Sequence, residues 1–290
     1  MATQLPKYSI CSLSGTLQAN DDFIADRLAH YIEEHRNLKF PHKHSFYHLV
    51  YFTSGKGKHA IDFVEFDVQP GQVYFMIPEQ VHTWHFEGTT DGYIVNFTDR
   101  FLNQLIVNPR YLDQFSFFSG IAENQVVDIP PNARKSFESI LQQVVDEGKS
   151  GQPYREDYIQ TLLVQLFIGT ARCCTKAPEK NTPYNSVLLH NFKKLIDQYY
   201  KEKRLPRHYA GLLYITPNHL NALTKDATGR SAGELIRDRV MLEAKRLLVN
   251  ADMSISEIAL ELDFADNSNF SKFFKKHAGC SPEAFRKQLK

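Results

Sequence analysis

Three histidines, His42, His44 and His48, lie within seven residues of one another, just before an apolar run. In an extended strand, residues of equal parity point to the same face, so all three imidazoles are predicted to share one face. His82 supplies a fourth imidazole downstream. Imidazole nitrogens bind zinc, iron, nickel and copper, and they also hydrogen-bond polar small molecules. The sequence therefore raises two alternatives, a metal centre or a pocket for an organic ligand.

The elements that position these histidines are predicted to be short strands. Between about residues 47 and 97, four runs rich in β-branched and aromatic residues alternate with turns that contain Gly or Pro; they read YHLVYFT, KHAIDFV, QVYFMI and GYIVNF. This spacing predicts a small antiparallel barrel or sandwich. At about 132–174 the apolar residues recur at helical spacing. They predict two helices that either complete the core or pair with a second subunit.

The length and the charge distribution indicate two domains. At 290 residues the chain exceeds one typical domain, and the polar segment TKAPEKNTPYNS predicts a linker. The expected boundaries are 1–175, a linker at 176–186, and 187–290. The last 104 residues carry a net charge of +6, whereas the preceding 186 carry −5. A basic C-terminal module suggests nucleic-acid binding.

Export and membrane insertion are not expected from the sequence. The first residues have neither a basic nor an apolar signal-peptide region, and no run is long and apolar enough to span a bilayer. The four cysteines form no CxxC pair. We therefore expect reduced thiols and a cytoplasmic location.

The C-terminal region repeats itself at an offset of fifty residues. TPNHLNALTKDATGRS, Thr216–Ser231, aligns with DNSNFSKFFKKHAGCS, Asp266–Ser281. Both segments begin with a suitable N-cap, and their residues at i, i+3 and i+4 form the predicted buried stripe of a short helix. Each follows a shorter predicted helix and a tight turn. The pattern is that of two helix-turn-helix motifs.

A predicted helix of about 18 residues, AGELIRDRVMLEAKRLLVNA, connects the two motifs and would be about 27 Å long. This length could hold two recognition helices about one DNA turn apart, on the order of 34 Å. With their apolar residues buried, the recognition helices expose side chains that contact bases and phosphates. The predicted DNA-binding residues are Asn218, Asn221, Ala222, Lys225, Asn267, Ser268, Ser271 and Lys272.

SISEIALELDFADNSNFSKFFKKHAGCSPEAFR, with YAGLLYITPNHLNALTKDATG and RVMLEAKRLL upstream, resembles the DNA-binding domain of AraC/XylS-type transcriptional regulators. The resemblance covers about a hundred residues and places the eight residues above where that family contacts DNA. The chain departs from the family pattern at Asp263, where glycine is usual, and at Thr224, where an aromatic residue is usual.

The histidine segment resembles the first metal motif of the cupin barrel, with His48 in place of the usual glutamate, and PGQVYFMIPEQVH resembles the second. Barrels attached to this DNA-binding domain generally sense ligands, so the resemblance implies an effector pocket that needs no cofactor. The predicted effector-binding residues are His42, His44, His48, Tyr51, His82 and Trp84. A divalent metal, which this interpretation does not favour, would be held by His42, His44, His48 and His82.

The expected fold is multi-domain α+β: a cupin-like antiparallel β-barrel with following helices, then an all-α domain with two helix-turn-helix motifs. The expected function is that of a regulator, not an enzyme, whose barrel senses a small molecule such as a sugar. Its expected partners are promoter DNA, the effector, a second copy of the chain and, for an activator, RNA polymerase. The alternative is a metal-dependent cupin enzyme or a metal sensor fused to a DNA-binding domain.

Overall fold

A computed structural model describes residues 6–13, 22–35, 40–106, 108, 111–174, 183–249 and 253–288. The contacts divide the chain into two compact units, Pro6–Thr175 and the part from Lys176 onwards. Within the predicted linker, 176–182 lie outside the described residues, and a helix begins at Pro183. No helix in these ranges is both long and apolar enough to cross a membrane.

The first unit is built around an eight-stranded sheet. Its strands are β1 (Lys7–Tyr8), β2 (Phe23–Arg27), β3 (His42–His44), β4 (Tyr47–Ile61), β5 (Val64–Val68), β6 (Gln72–Met76), β7 (Val81–Phe97) and β8 (Val126–Asp128). The hydrogen-bonded order is β1-β3-β7-β4-β6-β8, with β2 also on β7 and β5 also on β4. Among the described residues these pairings form an open path rather than a closed ring.

The long strands β4 and β7 pair along most of their lengths, from Tyr47 opposite Phe97 to Ile61 opposite His82. The register shifts between Phe52 and residue 56, which bends the ladder. At Gly92 the backbones approach so closely that a Cβ would lie 1.9 Å from the Tyr51 carbonyl oxygen. Only glycine fits at this bend.

A hydrophobic core lies on each face of the sheet. Leu49, Tyr51 and Phe75 face the helices, whereas Val50, Phe52 and Trp84 face the interior. The smaller helices of this unit are α1 (Ile10–Leu13), α2 (Leu28–Glu34) and α3 (Asp99–Asn103). The two predicted long helices are α4 (Pro131–Gly148) and α5 (Arg155–Cys173). Their apolar stripes pack on the sheet, so these helices complete the core.

The second unit consists of helices α6 (Pro183–Tyr199), α7 (Pro206–Leu212), α8 (Pro217–Thr228), α9 (Ala232–Val249), α10 (Ile255–Glu261), α11 (Asn267–Ala278) and α12 (Pro282–Gln288). Helices α7–α8 and α10–α11 are the two helix-turn-helix motifs, and α9 connects them. Ile236, Val240 and Ala244 of α9 lie in one core that contacts both motifs. The predicted β-rich first domain and all-α second domain are confirmed.

The ends of the helices follow from local side chains. Thr216 and Asp266 accept hydrogen bonds from the third residue of α8 and α11, respectively. Both helices end at a left-handed glycine, Gly229 and Gly279. The turns before them contain Tyr214 at φ 56° and Asp263 at φ 57°. Asp263 therefore adopts the left-handed conformation that glycine would adopt more easily.

Candidate DNA-binding surface and effector site

Helix α8 presents three of its four predicted DNA-binding residues to solvent. Asn218, Ala222 and Lys225 are exposed, while Leu220 and Leu223 are buried. Thr224, at the family's aromatic position, is also fully buried, and its hydroxyl donates to the Asn221 carbonyl oxygen at 3.1 Å. The helix therefore separates its faces as the apolar spacing predicts.

Asn221 differs from the other three, because its side chain is engaged within the protein. Its Oδ1 accepts a hydrogen bond from the backbone N–H of Ala232, 3.1 Å away, at the first residue of α9. The first N–H groups of a helix have no partner inside that helix, so Asn221 satisfies one of them. The structure thus gives this residue a role in fixing the connecting helix.

Helix α11 offers a more open polar face. Asn267, Ser268 and Lys272 are exposed, and Ser271 is half-buried with its hydroxyl donating to the Asn267 Oδ1 at 3.2 Å. The position equivalent to Ala232 is Pro282, which has no N–H. Ser271, the residue equivalent to Asn221, therefore has no backbone N–H at that position from which to accept a hydrogen bond.

The first unit contains a cluster of five buried histidines between β3, β4 and β7. They are at most 3% exposed: His42, His44, His48, His59 and His82. The ring centroids of His42 and His82 lie 4.2 Å apart, those of His44 and His48 4.9 Å, and those of His48 and His82 5.2 Å. The structure thus brings together the four predicted imidazoles and adds a fifth.

Hydrogen bonds fix several of these rings. His42 Nδ1 lies 2.7 Å from the Phe40 carbonyl oxygen, which can only accept. His48 Nδ1 lies 2.6 Å from Asn96 Oδ1, and the Asn96 Nδ2 donates to the Tyr31 hydroxyl. Both histidines therefore carry their proton on Nδ1, which leaves a lone pair on Nε2.

The remaining three imidazoles form a chain. His59 Nε2 lies 3.2 Å from His82 Nδ1, and His82 Nε2 lies 2.7 Å from His44 Nε2. Four buried nitrogens of the cluster have no hydrogen-bond partner: His42 Nε2, His44 Nδ1, His48 Nε2 and His59 Nδ1. Unpartnered polar atoms are rare in protein interiors, so this concentration of them calls for a functional account.

Burial keeps the cluster uncharged. It lowers the pKa of His42 to about 4 and that of His48 to about 3. Burial also lowers the pKa of His44, His59 and His82, and neighbouring imidazoles lower them further by charge repulsion. Neutral imidazoles keep a lone pair available for a ligand.

Of the two aromatic residues predicted for this site, Trp84 belongs to it and Tyr51 does not. The Trp84 ring lies 5.5 Å from those of His59 and His82, centroid to centroid. Tyr51 is on the opposite face of β4, where it packs on Phe137 of α4 and donates a hydrogen bond to Glu138 at 2.8 Å. Its odd parity relative to His48 accounts for the correction.

His59 is the residue that the sequence interpretation missed. The register shifts in β4 reverse the parity, so odd-numbered residues face inward beyond the bend. The signal was present in the neighbouring residues: Lys56 and Lys58 alternate with His59 and Ile61, which implies that the odd positions are buried.

A second group of metal-ligating types consists of Asp26, near the end of β2, and of His30 and Glu34, which are exposed on α2. His30 Nδ1 is 2.5 Å from Asp26 Oδ2, and Lys149 Nζ is 2.9 Å from Asp26 Oδ1. Asp26 is thus engaged in ion pairs on two sides, and the group needs no ligand to satisfy it.

The second unit thus carries two helix-turn-helix motifs, and the first unit contains a buried cluster of histidines. Together they define a ligand-responsive transcription regulator. Residues 209–288 match the family described as "Helix-turn-helix domain", and residues 27–166 match "AraC-like ligand binding domain". The chain belongs to the AraC family of transcription regulators.

Several known proteins align with most of this chain. The transcriptional activator RhaR of Cronobacter sakazakii is 24% identical over 260 residues, covering 87% of this chain and 88% of RhaR. The activator RhaS of Yersinia pestis is 26% identical over 265 residues, covering 86% and 90%. Among solved structures, ToxT of Vibrio cholerae aligns with 93% of this chain and 99% of its own at 15% identity and a TM-score of 0.46.

Proposed function

We propose that this chain is a cytoplasmic, effector-responsive regulator without enzymatic activity, and that α8 and α11 read promoter DNA. The observation that carries the proposal is the exposed polar face of α11, above all Asn267 and Lys272. An asparagine pairs bidentately with adenine, and a lysine reaches guanine or a phosphate. Both side chains are free of the apolar core that Phe270 and Phe274 form.

The effector site in this proposal is the interior of the first unit around the five histidines. An effector that binds one conformation or assembly better than another shifts the population that can place both recognition helices on DNA. The relatives RhaR and RhaS are named activators. We accordingly propose activation through RNA polymerase, with a homodimer paired along α4 and α5, where Tyr158 and Ile168 are exposed.

The DNA contacts can be tested on a site selected from random duplexes by the full chain. Lys272→Ala and Asn267→Ala should each weaken specific binding by about 1–3 kcal/mol, which is roughly 5- to 150-fold in Kd. Lys272→Ala should also reduce the slope of log K against log salt by about one if the lysine contacts a phosphate.

Lys56→Ala is the matched control, because it removes one exposed lysine charge from the first unit. Its affinity for the selected site should equal that of the unmodified chain. Unchanged DNA affinity of both α11 variants would contradict the assignment of α11 as a recognition helix.

A further inference from the structure

We propose that the histidine cluster is a binding site for one divalent transition-metal ion of the zinc type, held by His42, His44 and His82, with His48 beside them. The proposal rests on the proposed function, because it names the class of ligand that the effector site takes. It reverses the preference for an organic effector that the sequence supported, and the reasons are geometric.

The first reason is space. A molecule placed between two side chains needs about 7–8 Å between them, since each contact takes about 3.5–4.0 Å. The four rings stand only 4.2 to 5.2 Å apart, centroid to centroid, in the pairs His42–His82, His42–His44, His44–His82, His44–His48 and His48–His82. A sugar cannot enter between rings at this separation, whereas an ion that bonds directly to their nitrogens can.

The second reason is the direction of the nitrogens. One ligand atom from each of His42, His44 and His82 falls within 4.8 Å of the others, which is the spacing of a shared ion. His48 lies outside this group of three, but its ring is 4.9 Å from that of His44, centroid to centroid, and its Nε2 is unpartnered. Three neutral imidazole nitrogens form a donor set that suits zinc, copper or nickel.

The third reason is that the far side of these rings is already organised. Metal-bound histidines almost always donate their other N–H to a fixed acceptor. Such acceptors are present for His42, which has the Phe40 carbonyl oxygen, and for His48, which has Asn96. His82 Nδ1 lies beside His59 Nε2, so His59 acts as the positioning residue for His82.

Protonation of the chain His59–His82–His44 supports the same assignment. Two N···N hydrogen bonds use two of the three N–H groups that three neutral imidazoles carry. The third N–H is then left at one end, on either His59 Nδ1 or His44 Nδ1, and both of these atoms are buried without a partner. With hydrogen bonds alone, neither tautomer satisfies the cluster.

The experiment uses the untagged full chain, freed of metal by a chelator and then dialysed. Cobalt(II) is titrated into it, and the visible absorption bands and the bound metal per chain are measured. We expect one cobalt ion per chain with the intense bands of four-coordinate cobalt, displaced by zinc. Trp84, the chain's single tryptophan, should be quenched as cobalt binds, because its ring lies 5.5 Å from that of His82.

His42→Ala and His82→Ala should abolish the cobalt bands. The matched controls are His85→Ala, an exposed position on the same strand, and His30→Ala in the surface group on α2, and both should retain them. His59→Phe should weaken cobalt binding about 10- to 100-fold while retaining the bands, as expected of a positioning residue.

Uptake of less than a tenth of an equivalent by the unmodified chain at micromolar cobalt and zinc would overturn the site. Full uptake by His42→Ala and His82→Ala would do the same. The unmodified chain's spectrum and Trp84 quenching decide the matter if those variants do not fold. Specific DNA binding is measured on the same preparations. Binding to the DNA site without metal binding would contradict only the metal site. Metal binding without specific DNA binding would contradict the proposed function.

Discussion

Replacement of Asn221 by alanine should lower the stability of the second unit and not only its affinity for DNA. The Asn221 Oδ1 accepts from the Ala232 N–H at 3.1 Å, in a part-buried position at the start of α9. Loss of a cap at a helix N-terminus costs about 1 kcal/mol, and an unpaired buried donor costs about 1–3. We therefore expect a loss of about 1–2 kcal/mol.

Urea unfolding of the full chain measures this loss, because two signals separate the units. Trp84, the single tryptophan, reports the first unit alone, whereas far-UV ellipticity includes the seven helices of the second. With an m-value of about 2 kcal/mol/M, the ellipticity midpoint should fall by roughly 0.5–1 M. The midpoint of Trp84 fluorescence should not move.

Ser271→Ala is the matched control, since Ser271 is the equivalent position of α11 and the residue equivalent to Ala232 is Pro282, which has no N–H to satisfy. Its stability should change by less than about 0.5 kcal/mol. The reasoning is refuted if Asn221→Ala leaves the ellipticity midpoint unchanged and still lowers DNA affinity tenfold. In that case the side chain would serve the DNA and not α9.

Two further predictions concern the first unit. In the chelated, metal-free chain, burial depresses the pKa of His42 to about 4 and that of His48 to about 3. Below pH 6.5 the unfolded chain binds protons at these imidazoles and the folded chain does not. The free energy of unfolding is therefore fully present above pH 6.5 and falls as the pH drops towards 4, by about 1.4 kcal/mol per pH unit for each imidazole. Urea midpoints followed by Trp84 fluorescence at pH 7.5 and 5.5 check this, and equal midpoints would contradict it. Tyr51→Phe removes the hydroxyl that donates to Glu138 and should cost about 0.5–1.5 kcal/mol while leaving cobalt binding unchanged, because the ring faces α4; weakened cobalt binding would return Tyr51 to the site.

The helical unit could be predicted almost completely from the sequence, because its signals are local. The N-cap Thr216, the capping box of Ser254 and Glu257, and the terminal Gly229 act within one turn of their own helix. Apolar residues at i, i+3 and i+4 then identify the buried face without any knowledge of the partner. The role of Asn221 could not be seen, since it depends on contact with a residue eleven positions away.

The site in the first unit was less accessible from the sequence, because strand parity holds only while the register is regular. Parity correctly placed His42, His44 and His48 on one face. Applied to Tyr51 it would have excluded that residue, and carried through the bend of β4 it would have misplaced His59. The alternation of lysines with buried residues after the bend is a better guide there than counting from His48.

The two helix-turn-helix motifs differ in the side chains that they expose for DNA contacts. Of the four predicted DNA-binding residues of α8, Asn221 is bonded to the α9 backbone, and Ala222 can only touch a thymine methyl. In α11, Asn267, Ser268 and Lys272 all remain exposed. Hydrogen bonds to base edges carry sequence information, whereas phosphate contacts fix position. We therefore expect α11 to specify the stronger half of the DNA site, and α8 to act mainly as an anchor through Asn218 and Lys225.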